Sequence, residues 1–281
     1  MKSNLTDDLR DSHEVPGDVQ HELLRVSSRL GAIGHQMYWL RTAGSTNDVA
    51  SHLAELGAEE GTTVIAEAQT SGRGRHGRTW FSPAGAGLYV SVILRLANDH
   101  PLSGNENPVA LLTLASGVGI AEGVRAATGL PTEIKWPNDV MVGSRKLAGI
   151  LAEAAVHRGV LQFIVLGFGV NLQAITYPAD LASRATSIEA ESGRPADRAM
   201  ILAEILAAVS ERYSDLRAGR FDAILSAWRR LAPSSSAAPV EWDSPRGVLR
   251  GHAAGIDDQG ALLVRVAGRI ERLVAGEIRC I

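Results

Sequence analysis

Twelve residues, Gln69-Thr70-Ser71-Gly72-Arg73-Gly74-Arg75-His76-Gly77-Arg78-Thr79-Trp80, separate two apolar, β-branched runs and carry three glycines, three arginines and no acid. No regular element tolerates such a stretch well. Glycine weakens a helix or strand interior by about 0.5–1 kcal/mol relative to alanine, and three neighbouring like charges repel. The chain must therefore place a loop here. Glycines let backbone N–H groups crowd around an anion, and arginine forks bind phosphate or carboxylate bidentately. No helix pattern follows, which argues against a Rossmann or Walker loop. The spacing predicts a long mobile loop over 69–87 that closes over a nucleotide phosphate, grips an RNA backbone or is merely solvated.

The flanking runs Thr62–Ala66 and Leu88–Leu96 read as strands. Residues 1–20 read as a disordered arm, too short for a winged-helix DNA-binding domain, before a short helix from Val19 to Leu30. Met37–Leu40 is a strand, and Ser45-Thr46-Asn47-Asp48 caps an amphipathic helix that stops at Gly57. Pro108–Thr128 is a long apolar helix ended by Gly129. From Ile134 to Val165 the chain reads as a β-meander turning at Gly143-Ser144 and near His157–Gly159, with Val160–Val170 as a central strand. The uncharged stretch Gly159 to Ala179 has transmembrane length, but Gln162, Asn171, Gln173 and Pro178 make a buried strand the better reading. Helices are expected over Asp197–Arg217 and Gly219–Leu231. Composition then shifts at the linker-like Ala232-Pro233-Ser234-Ser235-Ser236, before three short strands (Gly247–Ile256, Ala261–Val266, Ile270–Ile278) patterned like a small β-barrel. The fold class is α+β: an arm with a short helix (1–36), a catalytic-sized domain (37–232) and a C-terminal β module (238–281).

With 281 residues, 45% hydrophobic and 21% charged, the chain has the composition of a soluble globular protein. A net charge of −3 excludes a global basic field drawing nucleic acid or anionic membrane, so any anion site is local. The acidic, polar N-terminus is no signal peptide, and the single cysteine, Cys280, permits no internal disulfide. A cytoplasmic protein is expected. Cys280, at the chain end, is a poor nucleophile; the eight histidines show no metal-ligand spacing, and no Gly-x-Ser-x-Gly elbow appears. Only three of the 28 basic residues are lysines, and Lys135 and Lys146 lie close together in sequence. Where arginine is the default, a retained lysine marks a place that wants a compact ammonium.

Lys135-Trp136-Pro137-Asn138-Asp139 groups donors and acceptors behind a tryptophan that is costly unless buried or stacked, though spacing alone favours a strand end turning into a hairpin. In Arg145-Lys146-Leu147-Ala148-Gly149-Ile150-Leu151, period two puts Lys146 with Ala148 and Ile150, opposite Leu147, Gly149 and Leu151. Such a lysine is partly desolvated and suits a buried carboxylate or phosphate, or else marks an edge strand. Gly167-Phe168-Gly169-Val170-Asn171 leaves room for a flat ligand beside the sheet, or forms a bulge.

In this order, the segments GRGRHGRTW, KWPND and KLAGIL resemble the biotin protein ligases, in the short form without the DNA-binding domain, over residues 37–281. The resemblance implies a class II synthetase-like biotin/lipoate ligase fold: a mixed sheet flanked by helices, plus a C-terminal SH3-like β-barrel. It implies that biotin's carboxylate attacks the α-phosphate of MgATP, giving biotinyl-5′-AMP and pyrophosphate. A lysine of a biotin carboxyl carrier domain, as in acyl-CoA or pyruvate carboxylases, then displaces AMP. No DNA or membrane takes part, and the expected state is a monomer or weak homodimer. By motif, Ser45, Thr46 and Asn47 match the element that meets the biotin head, and Gln69 its ureido side. Gly72, Arg73, Gly74 and Arg75 match the adenylate loop, Trp80 a residue packed by the adenine, and Lys146 the contact to carboxylate and phosphate oxygens. Gly149 and Gly169 would line the pocket, with Lys135, Asn138 and Asn171 beside them. Asp139 is the expected base or charge orienting the acceptor lysine, or a magnesium ligand; no structural metal is expected. Lys146, Arg75 and Asp139 are thus the expected catalytic set. His76 stands where some relatives carry another arginine. A lipoate-protein ligase or an octanoyltransferase of the same architecture, and an RNA-binding protein, are the competing readings.

Overall fold

The computed structural model describes residues 9, 12–95, 108–244, 247–274 and 276–280. Eight strands form one mixed sheet in the order β1-β2-β3-β4-β8-β7-β6-β5. They are β1 (Ser12–His13), β2 (Met37–Ala43), β3 (Thr63–Gln69), β4 (Gly87–Leu94), β5 (Thr132–Lys135), β6 (Asp139–Val142), β7 (Arg145–His157) and β8 (Val160–Asn171). Only β2 and β3 run parallel; the remaining neighbours are antiparallel. The predicted meander is β5 to β8, and its last turn uses Arg158 and Gly159 at positive φ.

One face of the sheet carries most of the core. The helix α1 (Gly17–Arg25) follows β1 in the chain, and α2 (Thr46–Glu55) lies on the opposite face against β3, β4 and β8. On the main core face α3 (Pro108–Thr128) packs over β5 to β7; after the short α4 (Ile188–Ser192), α5 (Arg198–Arg217) and α6 (Phe221–Leu231) pack against α3. By length and composition α3 could cross a membrane, yet 67% of its most apolar window is buried within the protein. It is apolar all round because sheet and helices enclose it. Its glycines set the distance to α5: a Cβ on Gly123 would lie 2.6 Å from Ile205 Cα, and one on Gly119 2.8 Å from Val209 Cα.

A second sheet, entirely antiparallel, has the order β12-β11-β10-β9-β13. Its strands are β9 (Pro239–Ser244), β10 (Gly247–Ile256), β11 (Leu262–Val266), β12 (Arg269–Leu273) and β13 (Ile278–Cys280). This is the SH3-like module, with five strands where three were expected. Pro239 disguises β9 because proline is tolerated only at a strand's first residue or an edge, and the stretch 270–278 is divided by a turn. The module is docked: Trp136 Nε1 donates to Gly260 O at 3.1 Å, and Val240, Trp242 and Ile256 join the main core.

Two expectations are corrected, and one element was missed. Within the described residues, the N-terminal segment is no free arm: Ser12 and His13 pair with Leu40 and Trp39, and α1 begins at Gly17. Its anchor is Glu204, 7% exposed, which accepts from Arg25 Nη2 at 2.6 Å and, together with Arg29 (Nη1 at 2.8 Å), ties the segment to α5. Residues 232–236 are not an open linker either, since Pro233–Ser235 form a 3-10 turn with Ser235 buried. The helix α4 was missed because five residues are too few for a periodicity; Ser187 caps it through Ala190 N. Leu96, expected to end β4, and residues 1–8, 10 and 11 lie outside the described residues.

Candidate active site

On the α2 face, the glycine-bearing parts of β7 and β8 lie beside the start of α2. Gly149 and Gly169 are register partners there, and so are Leu151 and Gly167. The indole of Trp80 lies on this glycine floor: a Cβ on Gly169 would fall 2.3 Å from Trp80 Nε1, and one on Gly149 2.9 Å from its Cζ3. The result is a cavity of about 740 Å³, which Ser45, Thr46, Asn47 and Gln69 enter from one side and Lys135, Asn138, Asp139 and Lys146 from the other. Arg73, Gly74, Arg75, Trp80 and Asn171 also line it. Gly72 does not. It is wedged beneath the loop, where a Cβ would meet Trp80 O at 2.5 Å, so its part is to let the chain pass.

The Gly/Arg segment takes a folded conformation held by its own backbone hydrogen bonds. Gly74 N donates to Arg78 O (2.7 Å), Trp80 N to Gly72 O (2.9 Å) and Gln69 N to Ser82 O (3.1 Å). His76 and Gly77 take left-handed conformations at φ 55° and 72° to close the turn. Its arginines are not equivalent. Arg73 forks onto Glu153 (2.9 and 2.8 Å) and also meets Asp48 at 2.7 Å. Arg78 forks onto Glu277 of the C-terminal module. Arg75 makes no ion pair among the described residues; its Nη1 reaches Asn138 Oδ1 and Gly276 O, both at 3.4 Å. Burial lowers its pKa, while Asp139 and Glu277 oppose that shift. An RNA grip needs a row of free guanidiniums, and two of the three are neutralised.

The alternation expected along β7 breaks at its start. Val140 pairs with Ala148 but Met141 pairs with Lys146, so the register shifts and Leu147 is an extra residue. A bulge of this kind re-aims a side chain. Lys146 therefore shares a face with Gly149, not with Ala148 and Ile150, and a Cβ on Gly149 would lie 3.0 Å from its Nζ. Its ammonium meets Asp139 Oδ1 at 2.6 Å and stands 5.2 Å from the centroid of the Trp80 ring. The motif is the hairpin turn that spacing suggested, Trp136-Pro137-Asn138 joining β5 to β6 with Lys135 opposite Asp139, and Asn138 joins the site as well. Its Nδ2 donates to Ile150 O (2.8 Å) and its Oδ1 faces Arg75. Asn171 is spent internally on Thr186 O (2.8 Å).

At the opposite end the site is neutral. Gln69 Oε1 accepts from Thr46 N (2.9 Å) and Thr46 Oγ1 (3.2 Å), and its Nε2 donates to Ser82 Oγ at 2.9 Å. Ser91, fully buried, donates to Thr46 Oγ1 or Asn47 Oδ1 (2.8 and 2.6 Å). Gly167 lines the cavity as its motif suggested; Ser91, Glu153 and Glu277 were not anticipated. A lone hydroxyl in Tyr-Val-Ser-Val-Ile and a lone acid in Leu-Ala-Glu-Ala-Ala-Val were the available signals.

Comparison with known proteins now bears on this geometry. Residues 39–171 match the biotin/lipoate A/B protein ligase family, and residues 239–279 match the biotin protein ligase C-terminal domain. The chain is 33% identical over 265 residues to the bifunctional ligase/repressor BirA of Bacillus spizizenii, covering 94% of this chain and 79% of that protein. The chain belongs to the biotin protein ligase family. It is also 34% identical over 252 residues to the biotin–[acetyl-CoA-carboxylase] ligase of Mycobacterium tuberculosis, covering 88% of this chain and 90% of that one. Among solved structures, the Aquifex aeolicus biotin protein ligase in complex with biotin and ATP superposes with a TM-score of 0.74 at 27% identity, over 87% of this ligase chain and 98% of that one. The C-terminal match lies in the second sheet, and the larger match ends at Asn171, the last residue of β8.

Proposed function

We propose that this ligase activates biotin with ATP and transfers it to a lysine of a biotin carboxyl carrier domain, in the cytoplasm. The observation that carries the reading is the division of one cavity into a neutral and a cationic end. Ser91 and Asp139 stand on strands three spacings apart, roughly 14 Å. Beside Ser91 the cavity offers the amide and hydroxyl groups of Gln69, Thr46 and Asn47, suited to an uncharged ureido ring. Beside Asp139 it offers Lys146 and Arg75, suited to a carboxylate and a phosphate chain.

Two anions must approach for adenylation, and like charges repel. Lys146 and Arg75 lower that repulsion and stabilise charge on the α-phosphate as the biotin carboxylate attacks and pyrophosphate leaves. Trp80, over Gly149 and Gly169, presents an aromatic face for the adenine. The folded loop excludes water that would hydrolyse the mixed anhydride. In the second step the acceptor lysine attacks the biotinyl carbonyl and AMP departs; Asp139 is the nearest carboxylate to take up or orient its proton. Magnesium fits as a companion of the nucleotide. No group of three or more His, Cys, Asp or Glu among the described residues could hold a metal, whereas Mg²⁺ binds through one or two carboxylates plus phosphates. Asp139 would hold it, and bound there it would offset phosphate charge. The acceptor in this reading belongs to an acyl-CoA or pyruvate carboxylase, no DNA takes part, and the protein works as a monomer or weak homodimer.

ATP–pyrophosphate exchange tests the proposal. Exchange should require biotin, ignore lipoate, and fall roughly 10²-fold or more in Arg75→Ala with little change in Tm. Exchange that follows lipoate instead of biotin would overturn it.

A further inference from the structure

The adenylate loop and the neutral end of the cavity are joined through a carboxylate that belongs to neither. Glu153 stands on β7, beyond Gly149 and Leu151, with its side chain 35% exposed. Its two oxygens accept the two parallel bonds from Arg73, and Oε2 accepts a third from Asn47 Nδ2 at 2.6 Å. Asn47 is 4% exposed and lies against the Gly167 backbone, where a Cβ would come within 2.0 Å of its Oδ1.

An ionised carboxylate only accepts hydrogen bonds. Asn47 must therefore turn its NH2 to Glu153 and its carbonyl oxygen to Ser91. The single proton of Ser91 serves Asn47 Oδ1 at 2.6 Å or Thr46 Oγ1 at 2.8 Å, and Thr46 donates in turn to Gln69 Oε1. With its oxygen so occupied, Gln69 points its NH2 at Ser82, whose hydroxyl returns to Trp80 O at 3.0 Å. Glu153, with Leu151 O to which Nδ2 also donates at 3.3 Å, holds the Asn47 amide in this orientation, while the backbone N–H of Thr46 fixes the Gln69 oxygen separately.

We propose that Glu153 is a positioning residue for the ligation reaction: by holding Arg73 and orienting the Asn47 amide, it fixes the donor and acceptor pattern presented to the ureido end of biotin. The proposal rests on the reading of the cavity as a biotin–adenylate site. It divides the labour of the loop: Arg73 is charge-neutralised scaffolding, and the cationic work falls to Arg75 and Lys146.

Glu153→Gln keeps the shape, removes the charge and allows an NH2 to face Asn47, so the Asn47 amide loses the acceptor that holds it and can turn. It should raise the biotin KM in pyrophosphate exchange, and the calorimetric Kd for biotin, by roughly 10- to 100-fold. The ATP KM should stay within about threefold, because the cationic end is untouched. Asp48→Asn removes the other, half-exposed carboxylate on Arg73 without touching Asn47, and should leave the biotin KM within about twofold. A biotin KM within twofold of wild type in Glu153→Gln, or an equal rise in Asp48→Asn, overturns the proposal, as does a matching rise in ATP KM. If Glu153→Gln melts more than about 5 °C below wild type, Glu153→Asp repeats the comparison, with charge kept and reach shortened. Wild-type protein without any biotin-dependent exchange would instead mean that the functional reading had failed.

Discussion

Lys146 Nζ sits 2.6 Å from Asp139 Oδ1 because a bulge on β7 turns the lysine onto the face where Asp139 and Gly149 are register partners. Each satisfies the other, and in the proposed reaction each would act on a different anion or proton. Lys146→Ala leaves a carboxylate facing incoming phosphates, so kcat/KM for biotin-dependent exchange should fall roughly 10²- to 10³-fold. Residues in contact couple. Adding Asp139→Asn to Lys146→Ala should cost much less than the product of the two single losses, and a double-mutant cycle measures this. Effects that multiply to within about threefold would show the pair to be independent.

Trp80 rests on two glycines that cannot gain a methyl group while it stays there. Gly169→Ala places a Cβ 2.3 Å from Trp80 Nε1 and 2.4 Å from Cε2. Backbone strain is not involved; the ring must lift. The ATP KM should rise roughly tenfold, equivalent to about 1.4 kcal/mol, with a red shift in tryptophan emission as the indole meets water. An unchanged KM and an unchanged spectrum would sink this account of the floor.

Glu204 fastens the N-terminal segment to α5. Burial pushes its carboxyl up, but the guanidiniums of Arg25 and Arg29 together bring it below the ordinary range. A carboxyl whose folded pKa is depressed stabilises fully above its unfolded value, about 4.3, and loses that contribution as pH falls through the folded one. Glu204→Gln should therefore cost roughly 2 kcal/mol at pH 7, about 4–8 °C in Tm. The gap should narrow below about pH 4. A Tm difference that stays constant from pH 7 to pH 3.5 would contradict the assignment.

The order of strands and helices was legible because its signals are local. Gly57 and Gly129 both stop helices where predicted, at φ 95° and 75°, and the β-branched runs are β3, β4 and β8. The three motifs and their order also identified the family. Less legible were the features that depend on partners distant in sequence. The arm at 12–25 reads as polar and weak in isolation; it is ordered by Glu204, about 180 positions away.

The sequence by itself determined which residue types stand at the site: a glycine floor, a loop rich in arginine, and two lysines where arginine was the default. Tertiary structure alone decided how their charge is used. A one-residue shift in register reversed the face of Lys146, because side chains alternate with period two and an inserted Leu147 resets the count. Of three arginines that look alike in the chain, Arg73 and Arg78 became structural ion-pair partners and Arg75 has no ion pair among the described residues. The carboxylates that chose among them, Asp48, Glu153 and Glu277, come from α2, β7 and the C-terminal module, and Coulomb interactions depend on distance in space rather than along the chain.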